Sequence, residues 1–294
     1  MEEMKTTFTV KEDGFFGEII KSEEPNPIYK NKILIICPGS NGDFNIVKKL
    51  GVGISKCGID TFGINYCYEE GTPATLSQVP LDYLEKAAKH LKSIGYEKIG
   101  VWGISYGGIY ALLCGVYFPD LISLVVAASP LHFVIQAMDS NKNISLEGSA
   151  YSYQGKDIPF EPFKEKMTFF KNFMNTVKSF EPNLYYLYEP MMDTISEEHI
   201  IPVEKMKARI ILISGKMDNL WPSNKACELM MKRLKEKNYS YPYEHISCEH
   251  GSHLMVPMDT MSGKVFKACR KYPEDTEKYK KEQYDKLVET FKVW

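Results

Sequence analysis

The stretch Lys98 to Asp120, KIGVWGISYGGIYALLCGVYFPD, limits what this chain can fold into more than any other. Ile99, Val101 and Ile104 make a short β-rich apolar run, and Ile109 to Phe118 reads as a buried helix that stops before Pro119. Between them Gly103, Ile104, Ser105, Tyr106 and Gly107 have the spacing G-x-S-x-G, with Gly108 following. A strand that becomes a helix in so few residues sets Ser105 at the point of a sharp turn, in a strained backbone state of the kind functional sites tolerate. Strand and helix crowd each other there, so residues without a Cβ are needed at Gly103, Gly107 and Gly108. A serine held in this way stands clear of the sheet with its hydroxyl free, as a nucleophile requires. A glycine-rich turn around an ordinary serine would share the short pattern; the flanking strand and helix favour the nucleophile.

The rest of the chain supplies the sheet. Thr7 to Glu12 and Glu18 to Ser22 read as two short strands joined around Gly14 and Gly17. Lys32 to Cys37, Leu121 to Ala128 and Arg209 to Ser214 are continuous apolar runs, the mark of strands buried on both faces of a parallel sheet. Asp60 to Tyr66 and Tyr243 to Cys248 read as further strands. Helices are predicted over Asn45 to Cys57, Pro80 to Ser93, about Ser223 to Lys237 with Ser223 as cap, and Glu274 to Val293. His90 reads as a surface residue. Strands alternating with helices imply a mostly parallel sheet covered on both sides.

From about residue 131 to 190 the alternation is lost. Aromatic residues crowd the segment, Glu165 to Phe180 reads as a helix and the remainder as loop. An insertion at this place can fold over a site as a lid, and some of its aromatics are expected to touch substrate, since pockets favour aromatic lining. The same aromatics would also serve simply to glue the insertion to the core.

Three loops follow carboxyl ends of strands, where sheets of this kind bind ligands. Ser105 lies on one, Asp218 on the next, and His250 and His253 on the last. The order Ser, Asp, His is that of the α/β-hydrolase fold, whose nucleophile elbow has the pattern found around Ser105. An aliphatic hydroxyl is a poor nucleophile near neutral pH; a histidine takes its proton and returns it to the leaving group. A carboxylate fixes the imidazole tautomer and stabilises the imidazolium. Asp218 suits that part better than Asp193, which precedes its strand. Spacing alone leaves His250 and His253 nearly even. PGSNGDF after Cys37 is placed to supply one oxyanion donor, and the residue after the nucleophile the other. The backbone N–H groups of Ser40 and Tyr106 are assigned, with Asn41 the close competitor of Ser40.

Two C-terminal segments, IPVEKMKARIILISGKMDNLWPS and GSHLMVP, resemble the catalytic domain of acyl-CoA thioesterases and bile-acid-CoA:amino-acid N-acyltransferases. In that family the acid lies in a G-x-x-D-x-x-W stretch, here Gly215 to Trp221 with Asp218. The base opens a run of His, two apolar residues, one further residue and Pro. His253 to Pro257 fits that frame and His250 does not. GISYGG matches as well. The amidating members use cysteine as nucleophile, so Ser105 implies the thioesterase branch. Animal members carry an N-terminal β-sandwich domain, whereas here Lys32 already opens the first core strand. The resemblance implies a single α/β-hydrolase domain over residues 1–294 with a lid at about 131–190, acting as a serine hydrolase on small-molecule acyl thioesters. Carboxylesterase action on oxygen esters is the first alternative; a non-catalytic binding protein on the same fold is the second.

Composition excludes several other classes. A net charge of −2 leaves no nucleic-acid footprint. No stretch approaches the ~18 apolar residues of a membrane span. The acidic N-terminus lacks the basic start and apolar core of a secretory signal. Seven cysteines, with no CxxC and no zinc-ligand spacing, suggest free thiols in a reducing compartment. A cytoplasmic location is expected, with no metal and no cofactor.

Overall fold

The computed structural model describes residues 5–259 and 263–294. Its centre is an eight-stranded sheet: β1 (Thr7–Phe8), β2 (Phe16–Ile20), β3 (Lys32–Cys37), β4 (Asp60–Asn65), β5 (Lys98–Ile104), β6 (Ile122–Ala128), β7 (Arg209–Gly215) and β8 (Tyr243–Cys248). The spatial order is β1-β2-β4-β3-β5-β6-β7-β8. From β4 to β8 all neighbours run parallel, and β1 and β2 close one edge antiparallel.

The alternation of side chains along β3 shows why the sheet is buried on both faces. Ile33, Ile35 and Cys37 join one core cluster and Leu34 and Ile36 the other. Five helices flank the sheet: α1 (Phe44–Ser55), α2 (Asp82–Ser93), α3 (Tyr106–Tyr117), α5 (Ser223–Glu236) and α6 (Pro273–Val293), with α4 (Phe169–Ser179) lying in the insertion. Val47 and Leu50 of α1 and Leu287 and Phe291 of α6 pack on one face. The buried residues of α2, α3 and α5 pack on the other. Among the described residues no helix is long and apolar enough to cross a membrane.

Several expectations need correction. The N-terminal pair is shorter than predicted, because Val10–Asp13 forms a helical turn in place of the end of the first strand. Thr9 caps that turn by accepting from the Glu12 N–H, and Gly14 ends it at φ 79°. His90 is half-buried, its ring edge-on to Phe8 with centroids 4.8 Å apart. In the insertion, Gln136–Asp139 pairs with Ile144–Ser149, and Tyr151–Tyr153 joins Val79–Pro80 and Lys156–Asp157 in a small sheet. Tyr151–Tyr153 is hidden in the sequence because its parallel partner Val79–Pro80 lies some seventy residues upstream. The helix begins at Phe169, where the Thr168 side chain accepts from the Lys171 N–H.

Candidate active site

β5 ends at Ile104 and α3 begins at Tyr106, so Ser105 alone makes the turn, with φ 59° and ψ −123°. The conformation is held from outside: the Ser105 N–H donates to the Ala128 carbonyl of β6 at 2.8 Å. A Cβ at Gly103 would collide with the Gly107 carbonyl, and one at Gly107 with the Pro38 carbonyl. Glycine at both positions is therefore the condition for strand, helix and the 38–41 loop to meet.

Ser105 Oγ lies 2.8 Å from His253 Nε2, and His253 Nδ1 lies 2.9 Å from Asp218 Oδ2. All three residues are buried, Ser105 the least at 7% exposed. Asp218 carries no dangling oxygen. Its Oδ1 accepts from the Leu220 and Trp221 N–H groups at 2.9 and 3.3 Å, and its Oδ2 accepts from Ser223 Oγ at 2.6 Å as well as from His253. A carboxylate satisfied in this way leaves His253 with the proton on Nδ1 and the lone pair of Nε2 toward Ser105. Ser223 is not the helix cap that its place suggested: Pro222 precedes α5, and the Ser223 hydroxyl is spent on Asp218.

The His253 loop is fastened to the end of β6. Ser129 Oγ donates to the His253 carbonyl at 2.8 Å, and Trp221 Nε1 donates to the Ser129 carbonyl at 2.9 Å. The Trp221 ring stands edge-on to the imidazole, centroids 5.2 Å apart. His250 is directed elsewhere. Its Nδ1 meets Asp275 Oδ2 at 2.5 Å and its ring stacks on Tyr272 at 3.7 Å. The structure thus brings Ser105, Asp218 and His253 together and ties His250 to the start of α6.

The triad opens into a mainly apolar cleft of about 330 Å³. Ser40 and Asn41 line it beside Ser105 and His253. Tyr66 Oη donates to the Pro38 carbonyl and fixes the loop that bears them. The N–H groups of Ser40, Asn41 and Tyr106 donate to no other described residue. The apolar wall comes from Ile46, Val47 and Leu50 of α1, from Leu220 and Leu254 beside the triad, and from Phe266. Among the described residues, no aromatic side chain of the insertion lines the cleft. Phe133, Tyr151 and Tyr188 are buried in the core, Phe169, Phe170, Phe173 and Phe180 are exposed, and Pro182 is the insertion residue on the cleft.

Sequence reasoning missed Glu181. This carboxylate is 3% exposed; it accepts from Asn219 Nδ2 and, at 2.8 Å, from the Lys267 N–H. Each of the three residues so joined adjoins a wall residue: Glu181 next to Pro182, Asn219 to Leu220, and Lys267 to Phe266. Glu181 therefore clasps three separate segments of one wall. No local pattern signals this; the adjacency of Asn219 to Asp218 was the one available hint. Among the described residues no group of three or more His, Cys, Asp or Glu side chains is placed to hold a metal ion.

An elbow serine at the carboxyl edge of a mostly parallel sheet, flanked by helices on both faces, defines a hydrolase of the α/β type. The family described as "BAAT / Acyl-CoA thioester hydrolase C terminal" matches residues 79–267, and the chain belongs to it. It is 25% identical to a carboxylesterase of Bacillus subtilis over 59% of this chain and 75% of that protein. It is 22% identical to the mitochondrial acyl-coenzyme A thioesterase 2 of Homo sapiens over 74% of this chain and 46% of that protein. The chain thus spans about half the length of the human thioesterase it matches. A solved structure from Klebsiella pneumoniae, provisionally described as a dienelactone hydrolase, superposes with a TM-score of 0.58 at 13% identity, covering 95% of this chain and 93% of that one. That likeness is one of fold. The chain is a thioesterase- and esterase-like member of an enzymatic hydrolase family.

Proposed function

We propose that the protein is a serine hydrolase that cleaves acyl thioesters through an acyl-enzyme on Ser105. One observation carries the reading: a continuous hydrogen-bonded relay from Ser105 Oγ through His253 to Asp218, 2.8 and 2.9 Å, at an apolar cleft. Ser105 Oγ attacks the acyl carbon as its proton passes to His253 Nε2. The Ser40 and Tyr106 N–H groups receive the oxyanion, each such donor being typically worth ~2.7–4 kcal/mol of transition-state stabilisation. His253 then protonates the departing thiolate. A water, deprotonated by the same nitrogen, attacks the ester carbonyl; the bond to Ser105 Oγ breaks, and Oγ recovers its proton from His253. Asp218 holds the imidazole tautomer throughout. The apolar wall fits an aliphatic or aromatic acyl group rather than a charged one. The chain is read as one domain over residues 1–294, with the insertion at 131–190 acting as a lid that reaches the cleft at Pro182.

Ser105→Ala should remove turnover of p-nitrophenyl esters and acyl-CoAs while the far-UV spectrum stays unchanged; retained turnover removes the nucleophile. The similarity to a carboxylesterase supports a second reading, in which the leaving group is an alcohol. Relative kcat/KM on thio- and oxygen esters of one acyl group separates the two. A large preference for the oxygen ester overturns the thioester assignment and leaves the triad standing.

A further inference from the structure

The helix α4 is turned inside out. Its polar residues Asn172, Asn175, Thr176 and Ser179 face the protein, Asn172 buried and accepting from Tyr186 Oη at 2.6 Å. Its apolar residues Phe169, Phe170, Phe173, Met174 and Val177, continued by Phe180, face outward. Phe170 is 72% exposed and Phe180 79%. A surface helix normally buries its apolar stripe, and a continuous exposed apolar face of this kind marks an interaction site.

Charge indicates what covers it. Residues 164–179 hold four lysines (164, 166, 171 and 178) against one acid, Glu165, a local charge of +3 in a chain whose net charge is −2. Lys171 pairs with Glu165, and Lys164 is held by the Pro190 carbonyl. Lys166 and Lys178 make no ion pair among the described residues. A second copy docked on this face would set like charges against each other. An anionic lipid surface would instead take the phenylalanines into its headgroup boundary and the lysines against its phosphates. The end of the helix is anchored beside the cleft, since Arg270 Nη2 donates to the Phe180 carbonyl and Glu181 clasps the wall.

We propose that α4 is an interfacial docking helix that seats the protein on anionic lipid. The test is co-sedimentation of the full chain with phosphatidylcholine vesicles, with and without phosphatidylserine, at low and high salt. The wild type should pellet with the anionic vesicles and be released by salt. Phe170→Ser with Phe173→Ser should lower the partition coefficient at least about tenfold. Lys178→Glu, which leaves the apolar face intact, should lower it at least about fivefold. Hydrolysis of a water-soluble p-nitrophenyl ester should be unchanged in both variants, which shows that they are folded. Absence of pelleting by the wild type, or equal pelleting by the Phe170/Phe173 variant, overturns the proposal. So does a dimer in sedimentation velocity that the same two substitutions dissolve, without vesicle binding; the face would then belong to a second copy.

Discussion

Around Ser105 the side chains of the triad are held by fixed partners and the apolar groups turn inward, whereas on α4 the polar side turns inward and the phenylalanines face out. Asp218 alone accepts four hydrogen bonds. The outward face of α4 has no such fixing among the described residues: Phe169 and Phe173 stack on each other, centroids 6.3 Å apart. Both regions contain helices rich in aromatic and glycine or lysine residues, so composition does not separate them. What separates them is whether the neighbouring elements determine every atom. The elbow is over-determined by three strand ends and a loop; the insertion is determined where it touches the rest of the protein, at Phe133, Tyr151, Tyr188, Asn172 and Glu181, and its outward phenylalanines are exposed.

The contrast can be broken most decisively at the fixed end. Asp218→Asn keeps the shape but offers His253 an amide in place of a carboxylate, and kcat should fall by about 10⁴-fold. Steady-state kinetics on a p-nitrophenyl ester would show it, and a loss below tenfold would mean that the relay does not govern turnover.

His132 tests the buried part of the insertion. Burial, with Lys225 and Arg233 nearby, holds its imidazole down at about 4, against ~6.5 in an unfolded chain. Between those values the unfolded state binds the extra proton. Stability is therefore full above pH ~6.5 and declines as pH falls toward 4, by about 3 kcal/mol in all. Urea midpoints across that window should show the slope, and His132→Leu should flatten it.

At the joint between the two regions, Glu181→Ala leaves Asn219 Nδ2 and the Lys267 N–H without their acceptor, which costs about 1–3 kcal/mol of stability. Because the clasp shapes the wall and touches no reacting atom, KM should rise with kcat nearly unchanged; an equal fall in kcat would place Glu181 in the chemistry instead. The smallest effect belongs to the free surface. Phe170→Ser should alter the thermal unfolding free energy by no more than about 0.5 kcal/mol, and a larger loss would mean that α4 is packed in solution.

The same division explains what could be read from the residues. KILIIC, LISLVVAA and RIILIS declare buried strands because both faces of each must be apolar, and GISYGG declares its turn because backbone atoms forbid a Cβ there. Asp218 and His253 were accessible through their places after strand ends, although only the frame around Pro257 favours His253 over His250. Glu181, Leu50 and Phe266 were not accessible, since their part in the cleft comes from tertiary neighbours far away in sequence. The helix read over Glu165 to Phe180 is present from Phe169 to Ser179, but the usual rule that a surface helix turns its apolar face inward fails at Phe169, Phe170, Phe173, Met174 and Val177. The strand Tyr151–Tyr153 stayed hidden because it pairs with Val79–Pro80, far away in sequence.

Ser129 has a consequence of its own. One residue past β6, at φ 47°, it grips the backbone of the His253 loop with its hydroxyl and holds the Trp221 indole with its carbonyl. Relay and sheet are thereby a single assembly: a growing polypeptide in which β8 has yet to dock presents Ser105 with no imidazole at all. On the proposed mechanism, reactivity would switch on late, only after the farthest pieces of the chain have met, so an unfinished copy could not attack the acyl groups around it.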